Sequence, residues 1–172
     1  VLKMIMEEMP EMELVGYVDP DPCGLSIIAG HSNRLKQYES LDQMINEGNL
    51  ELLWVASPNH LHLEHIRLGL EAGLKVFSEK PIVTTKEDSF ALAKLIKKFG
   101  ENQLIVGLVL RYSVHMREMR RILDTGALGK ITSLEANEHI APYHGSFFMR
   151  DWRRLEKYSG GFMLEKCCHD ID

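Results

Sequence analysis

Three apolar runs spaced by helix-length stretches constrain this chain more than any other feature of its sequence. They are residues 50–57 (LELLWVAS), 74–78 (LKVFS) and 103–110 (QLIVGLVL). Runs without polar alternation suit strands buried on both faces of a parallel sheet. Parallel neighbours need a crossover between them, and the intervening segments have the right length and period to be helices. Between the first two runs, Leu63, Ile66, Leu70 and Leu74 form one stripe that Gly73 should stop. Between the second and third, residues 85–99 turn Leu92, Leu95, Ile96 and Phe99 inward. Upstream, MELVGYVDP reads as a short strand through Leu14, Val15 and Val18. A helical pattern of Leu2, Ile5, Met6 and Met9 precedes it and ends at Pro10. Residues 25–50 are helical in tendency, with a break near Gly30 and a second start at Ser40. The alternation predicts an α/β fold with a doubly wound, Rossmann-type parallel sheet.

Residue 112 marks a change of texture. A helix carrying Met116, Met119 and Ile122 should end at Asp124-Thr125-Gly126, and ITSLEANEHI (131–140) reads as a strand with one exposed face. Residues 141–159, rich in aromatics and arginine, have no clear period and predict a long loop before Gly160-Gly161 opens a last helix. The division expected is residues 1–112 and residues 113–172.

Composition narrows the partners. With 20 Lys and Arg against 25 Asp and Glu, the net charge is −5, and no basic stripe offers itself to nucleic acid. No apolar run approaches the roughly 20 residues that span a bilayer. Three cysteines make no disulfide framework, which fits a reducing, cytoplasmic setting. The chain opens on Val1 inside a helical pattern, so it reads as part of a longer protein that a signal peptide could have preceded.

Several residues carry possible chemistry. Lys80 follows the second apolar run, at the carboxyl edge where open α/β sheets place ligands, and Pro81 keeps it from continuing into a helix. Taken alone, Glu79-Lys80-Pro81 also fits a solvated charge pair. Ser57, Pro58 and Asn59 arrive at the same edge after the first run, and Arg111 and Tyr112 after the third. Glu165 and His169, four apart, share a helix face; a carboxylate beside an imidazole suits a general base, although an ordinary surface pair has the same spacing. Asp19 either bonds ribose hydroxyls at a strand end or starts a turn. His60, His62 and His65, with Glu64, resemble the His-x-His-x-Asp-His pattern of metallo-β-lactamase-like hydrolases, but the leucines between them fit a helix core stripe. Cys167 and Cys168 are adjacent, closer than zinc spacing prefers, and read as core thiols. No metal is expected.

Ser57-Pro58-Asn59-His60-Leu61-His62, then Glu79-Lys80-Pro81, then the segment from Gly160-Gly161 to His169-Asp170-Ile171-Asp172 come in an order and spacing that resemble the glucose–fructose oxidoreductase/inositol dehydrogenase (Gfo/Idh/MocA) family. The resemblance runs from Asp19 to the last helix. It implies that residues 1–112 are a partial NAD(P)-binding Rossmann domain without its first strand and Gly-x-Gly-x-x-Gly loop. Residues 113–172 would begin a C-terminal substrate-binding and oligomerisation domain with a mostly antiparallel sheet. It further implies NAD, with NADP possible, a sugar, cyclitol or polyol substrate, and a homo-oligomeric full-length enzyme, the fragment alone being inactive. Lys80 and His169 would be catalytic, with Glu165 supporting His169 where the family more often has aspartate. Asp19, Ser57, Pro58, Asn59, Glu79, Lys80, Arg111, Trp152 and Arg153 would line the cofactor site, and His62 would support its loop. A non-catalytic binding relative, a dehalogenating or deoxygenating relative, and the metal hydrolase stand as alternatives.

Overall fold

The computed structural model describes residues 7–20 and 35–172. The expected helix up to Met6 and the helical tendency from residue 25 to residue 34 lie outside the described residues.

Two parallel sheets carry the first part of the chain. In one, β1 (Gly16–Tyr17) pairs with β2 (Lys36–Gln37). In the other, β3 (Leu52–Val55), β4 (Lys75–Ser78) and β5 (Leu104–Val106) lie in the order β3-β4-β5. Helix α1 (Leu41–Glu47) precedes β3, α2 (His62–Glu71) crosses from β3 to β4, and α3 (Lys86–Phe99) from β4 to β5. The helices start where side chains accept orphan N–H groups: Ser40 Oγ accepts from Gln43 N at 3.1 Å and Thr85 Oγ1 from Asp88 N at 3.0 Å. In α3, Glu87 and Asp88 open the first turn and Lys97 and Lys98 close the last, the arrangement a helix dipole favours.

The core forms where α2 meets the larger sheet. Ile66 and Val76 are fully buried and pack with Leu53, Val55, Leu70, Leu74 and Leu92. Helix and sheet come this close because of Gly69, where a Cβ would stand 2.8 Å from both Leu53 Cδ2 and Val76 Cγ2.

Four expectations need correction. β2 falls in the stretch of helical tendency; instead it forms a ladder with β1 that Tyr38 N extends to Tyr17 O at 2.9 Å, so pairing overrides local tendency. The strand expected over 103–110 is only β5. β4 ends at Ser78, Gly107 N makes a last bond to Ser78 O at 2.8 Å, and residues 109–112 without a ladder partner curl into a 3₁₀ turn. Residues 131–140 have no regular structure, since among the described residues no strand lies beside them and no antiparallel pair occurs. Residues 141–159 are helical rather than looped: α5 (Pro142–Phe148), a 3₁₀ turn (Asp151–Arg154) and α6 (Glu156–Ser159). Pro142 sits at the favoured helix start, and Phe147, Phe148 and Phe162 pack edge to face, ordering the segment through their rings. Helix α4 (Val114–Asp124) and the last helix, α7 (Phe162–Ile171), stand close to where they were expected. Among the described residues no helix is long and apolar enough to cross a membrane.

Candidate functional site

The carboxyl ends of β3 and β4 deliver two loops side by side. After β3, Pro58 and Asn59 start a 3₁₀ turn, with Leu61 N bonding Pro58 O at 2.8 Å. After β4, Glu79 N bonds Val55 O at 2.9 Å, and the chain turns at Lys80-Pro81, a cis peptide. His62, 1% exposed, ties the loops together: its Nδ1 lies 2.8 Å from Pro81 O and its Nε2 2.8 Å from Ser57 O. The expectation that His62 supports the loop thus has a concrete geometry.

Helix α7 docks against these loops. Lys80 Nζ donates to Glu165 O at 2.7 Å across 85 residues of sequence, and Asn59 Nδ2 donates to Ser159 O at 3.2 Å. Gly160, at φ +80°, makes the approach possible. A Cβ there would meet Leu164 Cδ2 at 2.5 Å and Thr84 O at 3.1 Å, and the left-handed backbone itself disfavours other residues.

Lys80, Asn59, Glu165, Arg153 and His169 therefore share one partly buried cluster. Three of its polar atoms are buried without a hydrogen-bond partner: Glu165 Oε2, Arg153 Nε and His169 Nδ1. Buried polar atoms are rarely left so, and an orphaned set at a sheet's carboxyl edge fits a ligand supplying hydroxyl or amide groups. Burial pushes the Glu165 carboxyl up, opposed by Lys80 and Arg153. Burial also pushes His169 down, with the positive charges of Lys80 and Lys166 adding to the effect. A neutral imidazole thus faces an ammonium, which suits proton abstraction.

Glu165 and His169 do share a face, both buried, but the carboxylate does not reach the imidazole. Helical side chains lean toward the N-terminus, so Glu165 points back toward Arg153, whose Nε lies 3.8 Å from Oε1. Arg153 stacks over Phe147 and Trp152 at 4.0 and 4.3 Å from the ring centroids. With Phe148, Arg154 and Phe162, Arg153 and Glu165 line a cavity of about 340 Å³ beside the cluster.

Other candidates stand apart. Asp19 follows β1 of the smaller sheet, its carbonyl accepting from Gln37 Nε2 at 3.1 Å. Arg111 forms a two-point ion pair with Asp172 just past α7, with Arg111 Nε 2.5 Å from Asp172 Oδ2, so it is tied to α7 rather than free at the edge. The three histidines of the possible metal motif diverge: His62 holds two carbonyls, His65 Nδ1 lies 2.9 Å from Ser57 Oγ, and His60 packs 4.7 Å from the Tyr158 ring. Their nitrogens do not converge, and no group of three metal-ligating side chains occurs among the described residues. Cys167 and Cys168 are free thiols, and Cys168 Sγ reaches Glu165 O at 3.6 Å. The Asn59–Ser159 and Ser57–His65 contacts were missed in the sequence. The spacing of His62 and His65, three apart on one helix face, was the available signal for the second.

Replacing Glu165 by Gln tests its burial. A carboxyl whose pKa folding raises favours the folded state below the ordinary carboxylate range and loses that contribution as pH rises through its folded value. The wild-type melting temperature should therefore fall from mildly acidic toward neutral pH relative to Glu165→Gln, whose curve should be flatter. Parallel curves would show that Glu165 does not titrate in the expected direction.

The model of an oxidoreductase family with an NAD-binding Rossmann fold, GFO_IDH_MocA, matches residues 1–108. YteT of Bacillus subtilis is 27% identical over 177 aligned positions, covering 99% of this chain and 41% of its own. Inositol 2-dehydrogenase 3 of Saccharopolyspora erythraea is 30% identical over 117 positions, 68% of this chain and 34% of its own. Scyllo-inositol dehydrogenase from Lactobacillus casei, solved with bound NAD(H) and scyllo-inositol, superposes with a TM-score of 0.68 at 25% identity, covering 76% of this chain and 38% of that one. The chain spans less than half the length of these relatives. With the parallel sheet, its crossover helices and most of its length matched, the chain belongs to the Gfo/Idh/MocA family of oxidoreductases with an NAD-binding Rossmann fold.

Proposed function

We propose that the protein is an NAD-dependent oxidoreductase that moves a hydride between the nicotinamide ring and a carbinol carbon of a sugar, cyclitol or similar polyol. The observation that carries this reading is Lys80 held beside α7 by its 2.7 Å bond to Glu165 O, in the cluster that holds the neutral His169. NAD, when bound, supplies the hydride acceptor. Lys80 keeps donors beyond the one given to Glu165 O, enough to hold a substrate oxygen and stabilise charge developing on it. His169 takes the hydroxyl proton. Glu165 Oε2 and Arg153 Nε, neither with a hydrogen-bond partner, are an acceptor and a donor suited to neighbouring hydroxyls. Ser57, Pro58, Asn59 and Glu79 shape the nicotinamide end, Trp152 flanks it, and Arg111 fixes the end of α7.

The same reading divides the chain into residues 1–112, for the cofactor, and residues 113–172, the opening of the substrate and oligomerisation domain. Exposed Val114, Leu128 and Leu134 support a homo-oligomer, and the free thiols fit a reducing, cytoplasmic setting.

Asp19, at the end of β1, sets the cofactor expected. Its carboxylate can accept from both ribose hydroxyls of NAD and repels a 2′-phosphate. The full-length protein, assayed on a panel of polyols and sugars by NADH absorbance, should turn over at least one of them with a higher kcat/KM for NAD than for NADP. A clear NADP preference would remove Asp19 from the ribose site. Failure to bind NADH at all would overturn the function.

A further inference from the structure

Two of the three histidines that resemble a metal motif grip one residue instead. His62 and His65, one turn apart on α2, both reach Ser57: His62 Nε2 at the carbonyl, 2.8 Å away, and His65 Nδ1 at the hydroxyl, 2.9 Å away. Ser57 stands just beyond β3, at the carboxyl edge of the sheet, and the proposed function places it at the nicotinamide end. The inference rests on that reading. We propose that His65 is a positioning residue for the cofactor: its Nδ1 accepts the Ser57 hydroxyl proton and so fixes Ser57 Oγ as an acceptor toward an amide or ribose donor of the nicotinamide end.

The chemistry follows from one shared proton. A serine hydroxyl has a single proton and two lone pairs, and a neutral imidazole nitrogen is a stronger acceptor than a hydroxyl oxygen. Once the proton is committed to Nδ1, only lone pairs remain for the ligand. When His65 is protonated, Nδ1–H donates to Oγ instead and occupies one of its lone pairs. Ser57 then presents its own O–H and a single lone pair to the ligand, and the contact to a ligand donor weakens. Burial pushes His65 below its ordinary value, the neighbouring charge of His62 and then of His60 adds to this, and Glu64 opposes it. Glu64 is engaged by Arg67 Nε at 3.0 Å, on the same helix, and Ser57 itself carries no charge. His65 is therefore neutral around neutral pH, and in its Nε2–H tautomer, which leaves Nδ1 to accept, Ser57 rests as an acceptor.

The test measures NADH affinity against pH by fluorescence titration of the full-length protein, alongside nitrogen resonances of labelled histidines that report the protonation of His65. In the wild type, affinity should fall about two- to tenfold, the worth of one neutral hydrogen bond, as pH drops through the His65 titration. His65→Asn places an amide oxygen that does not titrate near the Nδ1 position, and should keep the high affinity without that step. His65→Leu should bind more weakly by the same factor at all pH values. Ser57→Ala should abolish the step and shift the His65 resonance. A step that persists in His65→Asn, or NADH affinity indifferent to His65→Leu, would overturn the inference while leaving the proposed function standing. A wild-type protein that binds no NADH would overturn both.

Discussion

Replacing His169 by Ala should lower kcat of the full-length enzyme at least about 100-fold, and Lys80→Met by as much or more, with NADH affinity changed only a few-fold. General acid–base catalysis contributes about 100- to 10,000-fold, and the smaller figure is the least expected of a base that takes the hydroxyl proton. Lys80→Met removes both the charge that stabilises the developing oxyanion and the donor that bonds Glu165 O, so α7 loses an anchor as well. The pH profile adds a second readout. A base works deprotonated, so oxidation should fall as pH drops through the His169 titration. Burial and the facing lysines place that limb below the ordinary histidine range. His169→Ala should abolish the limb along with the rate. Glu165→Gln should retain more activity than either, since its carboxylate faces Arg153 rather than the imidazole. Near-normal turnover in His169→Ala, or a loss confined to weaker NADH binding, would remove His169 from the chemistry.

Ile66→Ala should destabilise the folded protein by about 2–5 kcal/mol, the range for deleting a buried branched side chain, because it loses transfer energy and leaves a cavity. Ile66 has no exposure and sits on α2 one turn beyond His62, on the same buried face, and α2 also supplies His65 to the site. Interiors are close-packed, so loosening that helix should loosen both clamps on Ser57. Ile66→Val should cost about 0.5–1.5 kcal/mol and spare the site. Denaturant unfolding midpoints measure both. If Ile66→Ala unfolds at the wild-type midpoint, the helix–sheet contact is not the core of this fold.

The carboxyl-edge loops were legible because their cause is local. Apolar runs bounded by polar residues fix β3 and β4 and therefore where Lys80 and Asn59 emerge. Ser40 and Thr85 cap helices by accepting from N–H groups three residues on, a spacing visible in any sequence. The spacing of Glu165 and His169 placed them on one helix face, as they are. The partner of Glu165 was not legible, since which way its carboxylate leans depends on Arg153, held by the Phe147 and Trp152 rings.

Elements whose existence depends on a neighbour were misread. Lys36-Gln37 is a strand only because Gly16-Tyr17 lies beside it, and residues 131–140 are irregular for want of such a neighbour among the described residues. Backbone hydrogen bonds in a helix close within one segment, whereas a ladder closes only between two, so a single stretch of sequence cannot declare it. The His60-to-His65 stretch makes the same point for side chains. By itself the sequence determined the residue types, their spacing and the α/β alternation that sends Lys80 to the sheet edge. Only the tertiary structure decided that His62 and His65 turn to one serine instead of one metal. Their ring nitrogens meet acceptors and a hydroxyl that packing brings within 2.9 Å, and hydrogen-bond geometry at that range leaves no freedom to converge elsewhere.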